Sequence, residues 1–161
     1  MHISIYTTGG TIDKVYFDAK SDYKIGAPQI VDILRESNVT FTYETTTLFS
    51  KDSLELTDED RSAIAHAIAN DPSNRILITH GTDTMVDTGQ ALLHIPDKTI
   101  VLVGSLSPAR FKNSDAVFNI GVAVSAVQLL DPGVFIAMNG CIFESTKVRK
   151  NRAENRFEPI E

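Results

Sequence analysis

Two short segments gather hydroxyls around glycines, and a third gathers cations. "TTGGTI" (residues 7–12) holds Thr7, Thr8 and Thr11 beside Gly9 and Gly10, and "THGTDT" (residues 79–84) holds Thr79, Thr82 and Thr84 beside His80, Gly81 and Asp83. "TKVRKNR" packs Lys147, Arg149, Lys150 and Arg152 together. A hydroxyl is a poor nucleophile until a neighbour removes its proton. Thr11 or Thr82 becomes one if a carboxylate or a neutral lysine lies close. Asp83 is one such partner. A lysine of the basic run is another, provided that burial or its cationic neighbours lower its pKa. Each segment also has an ordinary explanation. The glycine turn is a plain strand-to-helix connection, Asp83 is the N-cap of the next helix, and the basic run is a solvated turn.

Other chemistries find less support. "TTGGTI" is neither a complete G-x-G-x-x-G nor a P-loop, so no nucleotide cofactor is expected. His80 could join a Ser/His/Asp group, but no G-x-S-x-G elbow is present, and a histidine before a turn glycine is more often structural. His2, His66, His80 and His94 show no paired ligand spacing, so no metal site is expected. Tyr23, in the Gly-flanked stretch "SDYKIG", is placed to close over a ligand and assist proton transfer. Most loop tyrosines do no such thing.

Regular elements must bring these residues together. "HISIYT", "VTFTYETTTLF", "RILIT", "TIVLVGS" and "GVFIAMN" read as five strands. "PQIVDILRES", "TDEDRSAIAHAIAND", "DTMVDTGQALLHI" and "SDAVFNIGVAVSAVQLL" read as the helices between them, with Thr57 capping the second and Ser114 near the cap of the fourth. Residues 7–26 read as a glycine-containing polar connection, and the segment from Cys141 as a hairpin with an extended end. Alternating strands and helices predict a three-layer α/β/α domain with a mainly parallel sheet. Ligands bind such sheets at the carboxyl ends of the strands. "TTGGTI", "SKDSLEL", "THGTDT" and "GSLSPA" follow the first four strands. Four polar segments on one edge predict a polar pocket.

The composition is compatible with that reading. The 161 residues fit one domain, and 42% hydrophobic with 22% charged is ordinary for a globular protein. A net charge of −6, with no tryptophan, argues against nucleic-acid binding. No apolar run approaches a membrane span, so no membrane partner is expected. Cys141 is the single cysteine and the first residues lack a signal peptide's pattern, so a cytoplasmic setting is expected.

Together these segments resemble the bacterial-type L-asparaginase family. The paired signatures Thr8-Gly9-Gly10-Thr11-Ile12 and Thr79-His80-Gly81-Thr82-Asp83-Thr84-Met85, in that order on a parallel-sheet frame, carry the resemblance. "SDYKIG", "DSLELT", "MNG" and Lys150-Asn151 add weaker matches, and "GGTIDK" and "KVRKNR" are similar to short, single-domain members. The resemblance implies one domain of the N-terminal type over residues 1–161, without the second domain of longer members. It implies hydrolysis of L-asparagine to aspartate and ammonia, through an acyl-enzyme on Thr11. Tyr23 would assist Thr11, while Thr82, Asp83 and Lys150 would form the second catalytic group. Gly10, Ser53, Gly81 and Ser105 would bind substrate, with Ser53 on its α-carboxylate. No cofactor is implied, and a homo-oligomer is expected. Two departures stand out. The acidic residue that longer members receive from a partner's second domain has no counterpart, and Leu54 follows Ser53 where a polar residue is usual. Both predict modest affinity for asparagine and little activity on glutamine. An amidase for another small amide and a non-catalytic amino-acid-binding module are the alternatives.

Overall fold

The computed structural model describes residues 1–160. In chain order the elements are β1 (His2–Gly9), a 3-10 turn (Thr11–Asp13), β2 (Lys14–Phe17), β3 (Asp22–Ile25), α1 (Ile30–Glu36), β4 (Thr42–Lys51), α2 (Asp58–Ala69), β5 (Arg75–Thr79), α3 (Met85–Ala91), β6 (Thr99–Val103), α4 (Ala116–Leu129), β7 (Gly133–Met138), β8 (Cys141–Glu144), β9 (Val148–Asn151) and β10 (Arg156–Pro159). The main sheet has the order β4-β1-β5-β6-β7-β8. Its first five strands are parallel, and β8 runs antiparallel to β7.

Strand alternation sorts the core onto two faces. Ile76, Ile78, Ile100 and Leu102 point one way, toward Ile64 and Ile68 of α2 and Met85 of α3. Leu77, Val101 and Val103 point the other way, toward Ile33 and Leu34 of α1 and Ile120, Ala123 and Val127 of α4. The result is the expected three-layer α/β/α arrangement with a mainly parallel sheet. Thr57 caps α2 in a capping box with Asp60, as the sequence predicts. At α4 the Ser114 hydroxyl accepts from the Ala116 amide, and Asp115 occupies the cap position.

Two additions depart from the sequence reading. Residues 7–26 are not simply a connection: β2 and β3 pair as an antiparallel hairpin, with Tyr16 opposite Tyr23. The C-terminal segment forms both the edge strand β8 and a separate hairpin, β9–β10. That hairpin inserts Val148 and Phe157 into the core beneath α2 and α3. Among the described residues no helix is long and apolar enough to cross a membrane.

Candidate active site

Numbered by appearance along the chain, the parallel strands lie in the order 2-1-3-4-5. The order reverses between β1 and β5. Connections there leave in opposite directions and open a crevice at the strands' carboxyl ends, where such sheets bind ligands. "TTGGTI" and "THGTDT" both emerge at this point.

The backbone there is packed to its limit. Gly10 has φ +90°, and a Cβ on it would lie 2.5 Å from the Cα and N of Gly81. A Cβ on Gly81 would lie 2.6 Å from the Cβ and Oγ of Ser53. The Gly10 amide donates to the Lys51 carbonyl at 3.0 Å, and the Thr84 hydroxyl donates to the Ser53 carbonyl at 2.7 Å. Three loops, following β1, β4 and β5, thus meet here: main chain lies against main chain between Gly10 and Gly81, and the small Ser53 side chain packs directly on Gly81. Only glycine combines that close approach with the left-handed conformation at Gly10.

Hydrogen bonds tie the second group of predicted residues. Lys150, on β9, donates through Nζ to Thr82 Oγ1 at 2.7 Å and to Asp83 Oδ1 at 2.9 Å. Lys150 and Thr82 are nearly buried; the Asp83 side chain is about one-third exposed, at 34%. Arg152 Nε lies 3.7 Å from the same Asp83 oxygen. Asp83 is not the N-cap of α3; that position is Thr84, whose side chain does not cap the helix. A cation donating to a hydroxyl oxygen stabilises the alkoxide that develops on proton loss.

Beneath this group sits His80, fully buried. Its Nδ1 is 2.7 Å from the Gly81 carbonyl and its Nε2 is 2.8 Å from Thr88 Oγ1. A carbonyl can only accept, so Nδ1 carries the proton and Nε2 accepts from Thr88. Burial, opposed by the Gly81 bond and reinforced by Arg61, drives its pKa down to about 4. The ring is neutral and fixes the Gly81 turn, the structural role the sequence favours for it.

The first group is held differently. Thr11 begins the 3-10 turn, half-buried, and its carbonyl accepts from the Lys14 amide. Tyr23 lies on β3, 45% exposed. Its ring meets those of Tyr16 and Phe111 edge-on, with centroids 5.5 and 5.9 Å away. The contacts that hold it are aromatic rather than a hydrogen bond to Thr11. Lys14, at the root of the hairpin, pairs with Asp52 at 3.3 Å. Ser105 is buried, and its hydroxyl donates to the Ser107 carbonyl at 2.5 Å. Asp115 accepts from the Leu106 and Ser107 amides and from Asn119, bracing the same loop.

Sequence reasoning passed over Asp13. It is only 2% exposed, and burial, opposed by a bond from the Gln29 amide, pushes its carboxyl up to about 7. The one available signal was an acid directly following the apolar Ile12 of the glycine signature. Among the described residues no cluster of three His, Cys, Asp or Glu is placed to hold a metal ion.

The family model described as "Asparaginase, N-terminal" matches residues 2–158. The chain belongs to the asparaginase family. It is 32% identical to the L-asparaginase of Thermococcus kodakarensis, over 99% of this chain and 51% of that protein. It is 33% identical to a glutamyl-tRNA(Gln) amidotransferase subunit of Methanococcus maripaludis, over 96% of this chain and 40% of that protein. Among solved asparaginase structures, the Thermococcus kodakarensis enzyme superposes with a TM-score of 0.87 at 30% identity, covering 99% of this chain and 51% of that one. L-asparaginase I of Vibrio cholerae gives 0.80 at 26% identity, covering 98% and 51%. The chain therefore spans about half the length of the asparaginases it matches, and the part it spans is the family's N-terminal domain.

Proposed function

We propose that this asparaginase-family chain hydrolyses the side-chain amide of L-asparagine, giving L-aspartate and ammonia. One observation carries the reading: Lys150 bridges the Thr82 hydroxyl and the Asp83 carboxylate beside the Gly10–Gly81 contact, which brings the two hydroxyl-bearing signatures to one crevice. A module that only bound an amino acid would gain little from a lysine directed at a threonine hydroxyl.

In this reading Thr11 Oγ attacks the carboxamide carbon. The carbonyl oxygen becomes a tetrahedral oxyanion, which backbone N–H groups of the glycine turns stabilise; one such donor is typically worth about 2.7–4 kcal/mol of barrier. The proton leaving Thr11 passes by way of Tyr23 to the departing nitrogen. Ammonia leaves, an ester to Thr11 remains, and water cleaves it to release aspartate and restore the hydroxyl. In the water step Thr82, its oxygen held by Lys150, relays a proton: it gives its hydroxyl proton to the Thr11 oxygen as it takes one from the attacking water. Asp83 orients Lys150 and attracts the substrate's ammonium. Ser53 and the Gly81–Thr82 backbone receive its α-carboxylate, and Ser105 shapes the amide end through its loop.

The likeness to a glutamyl-tRNA(Gln) amidotransferase subunit favours a second reading, an amidase that releases ammonia from another small amide. Ammonia release from asparagine and from glutamine separates the two. Asparagine is expected to give the higher kcat/KM. Equal values would reject the asparagine preference. No release from either amide, with asparagine still raising the Tm, would replace the enzyme with a binding module.

A further inference from the structure

We infer that Asp13 is a positioning residue that fastens the Thr11 turn to the root of the Tyr23 hairpin and so sets how the two approach each other. The inference rests on the reading of Thr11 and Tyr23 as a reacting pair, but the structural linkage does not.

Asp13 ends the 3-10 turn that Thr11 begins, and every polar atom it uses reaches a different part of the fold. Its amide donates to the Gly10 carbonyl at 3.1 Å, inside the nucleophile turn. Its carbonyl accepts from the Gly26 amide at 2.8 Å, closing the mouth of the β2–β3 hairpin just beyond the Lys14–Ile25 pair. Its carboxyl oxygen Oδ1 accepts from the Gln29 amide at 2.8 Å, at the start of α1. Gln29, itself buried, extends the linkage: its Oε1 accepts from Arg110 Nε at 3.0 Å. The next residue, Phe111, packs on Tyr23. A second tie runs in parallel, from the Ala109 amide to the Ile12 carbonyl at 3.1 Å. The hairpin is therefore fixed at its root by the Asp13 main chain, whose turn the carboxyl ties to Gln29, and along one side by the loop that Gln29 anchors.

A buried acid without a cation is costly, and such groups are retained where they specify an arrangement or serve a function. No ion pair forms with Asp13 among the described residues, and several charged side chains of the joined segments are engaged elsewhere. Lys14 pairs with Asp52, Lys24 lies over the Phe17 ring, Asp32 and Arg35 pair with each other, Asp22 accepts from the Tyr23 amide, and Arg110 bonds Gln29. None of them neutralises Asp13. The linkage therefore depends on the carboxyl's own protonation. The Gln29 bond is stronger to the carboxylate, but the cost of ionising the buried group is the larger effect, so the linkage opens more easily as Asp13 ionises.

Hydrogen-exchange mass spectrometry on the full chain tests this at pH 6 and pH 8, with intrinsic exchange rates divided out. Asp13→Ala should raise exchange in residues 14–25 about fivefold or more, while residues 75–79 and 99–103 keep wild-type protection. Asp13→Asn, which keeps the acceptor and cannot ionise, should protect the hairpin at least as well as wild type at pH 6. In wild type, hairpin exchange should rise between pH 6 and pH 8; in Asp13→Asn it should not. With asparagine as substrate, Asp13→Ala should lower kcat more than it raises KM. Unchanged hairpin exchange in Asp13→Ala, or a pH response that survives in Asp13→Asn, overturns the inference. If Asp13→Ala does not fold, the Asp13→Asn comparison decides alone. Absence of ammonia release would count against the proposed activity and leave the exchange result standing.

Discussion

The two halves of the crevice are built to different standards. Around Thr82, donors and acceptors are matched: Lys150 holds the threonine and Asp83, His80 holds the Gly81 turn, and Thr88 holds His80. Around Tyr23 the structure relies on ring edges and on a hairpin fixed mainly at its root, and the tyrosine is 45% exposed. An edge-to-face aromatic pair is worth only about 0.5–1.5 kcal/mol. The first half is held in place by matched hydrogen bonds. The second can shift at little cost, as a segment that closes over a ligand must.

The sharpest way to break this contrast is to remove from each half one group to which the proposed reaction assigns a role. Thr11→Val and Lys150→Met should each cut kcat for asparagine by about a thousandfold or more, with little change in thermal stability for Thr11→Val. Equal activity of Thr11→Val and wild type would place the nucleophile elsewhere. Gly10→Ala strikes the contact that joins the halves. The added methyl meets the Gly81 backbone at 2.5 Å and must adopt φ +90°. A loss of about 3 kcal/mol or more in urea unfolding is expected, since positional strain and overpacking each cost about 1–3 kcal/mol.

A smaller effect separates the halves by pH. His80 has its pKa depressed by burial, so it contributes stability that is complete above its unfolded value and is lost as pH falls toward about 4. Asp13 has its pKa raised, so its contribution is complete below its unfolded value and is lost as pH rises through about 7. Between these limits the two oppose each other. Denaturant unfolding midpoints from pH 4.5 to 8 should rise more steeply with pH in Asp13→Asn than in wild type. In His80→Gln the rise should be flattened. A lower overall stability in either variant shifts the curve without changing its slope, and parallel curves for all three proteins would sink the account. Smallest of all, Phe111→Ala should cost about 0.5–1.5 kcal/mol through loss of its contact with Tyr23. It should loosen hairpin exchange while leaving the Lys150 half untouched.

The sequence revealed the frame better than the attachments. Continuous apolar runs such as "TIVLVGS" and "RILIT" mark buried parallel strands whatever lies around them, and each appears where the pattern places it. Strands β2 and β3 were illegible because each has only four residues: "KVYF" does not alternate, and the alternation of "DYKI" is too short to stand out from a polar loop. Their pairing is secured by Asp13, Gln29 and Phe111, contacts that no local window contains. The same holds for Asp83. Its position before a helix is what an N-cap would show, and only Lys150, 67 residues away, reveals a different partner. Asp13 was missed because burial is a property of the fold, and an acid beside a lysine reads as surface.

The meeting of Gly10 with Gly81 also bears on how this molecule can be altered. Because main chain touches main chain there, the three loops must shift together or not at all, and neither glycine position tolerates randomisation. The hairpin and the 105–112 loop are joined to that block by a few main-chain hydrogen bonds and a handful of side chains. Variation aimed at new substrates belongs there, where access can be reshaped without disturbing the polypeptide junction beneath.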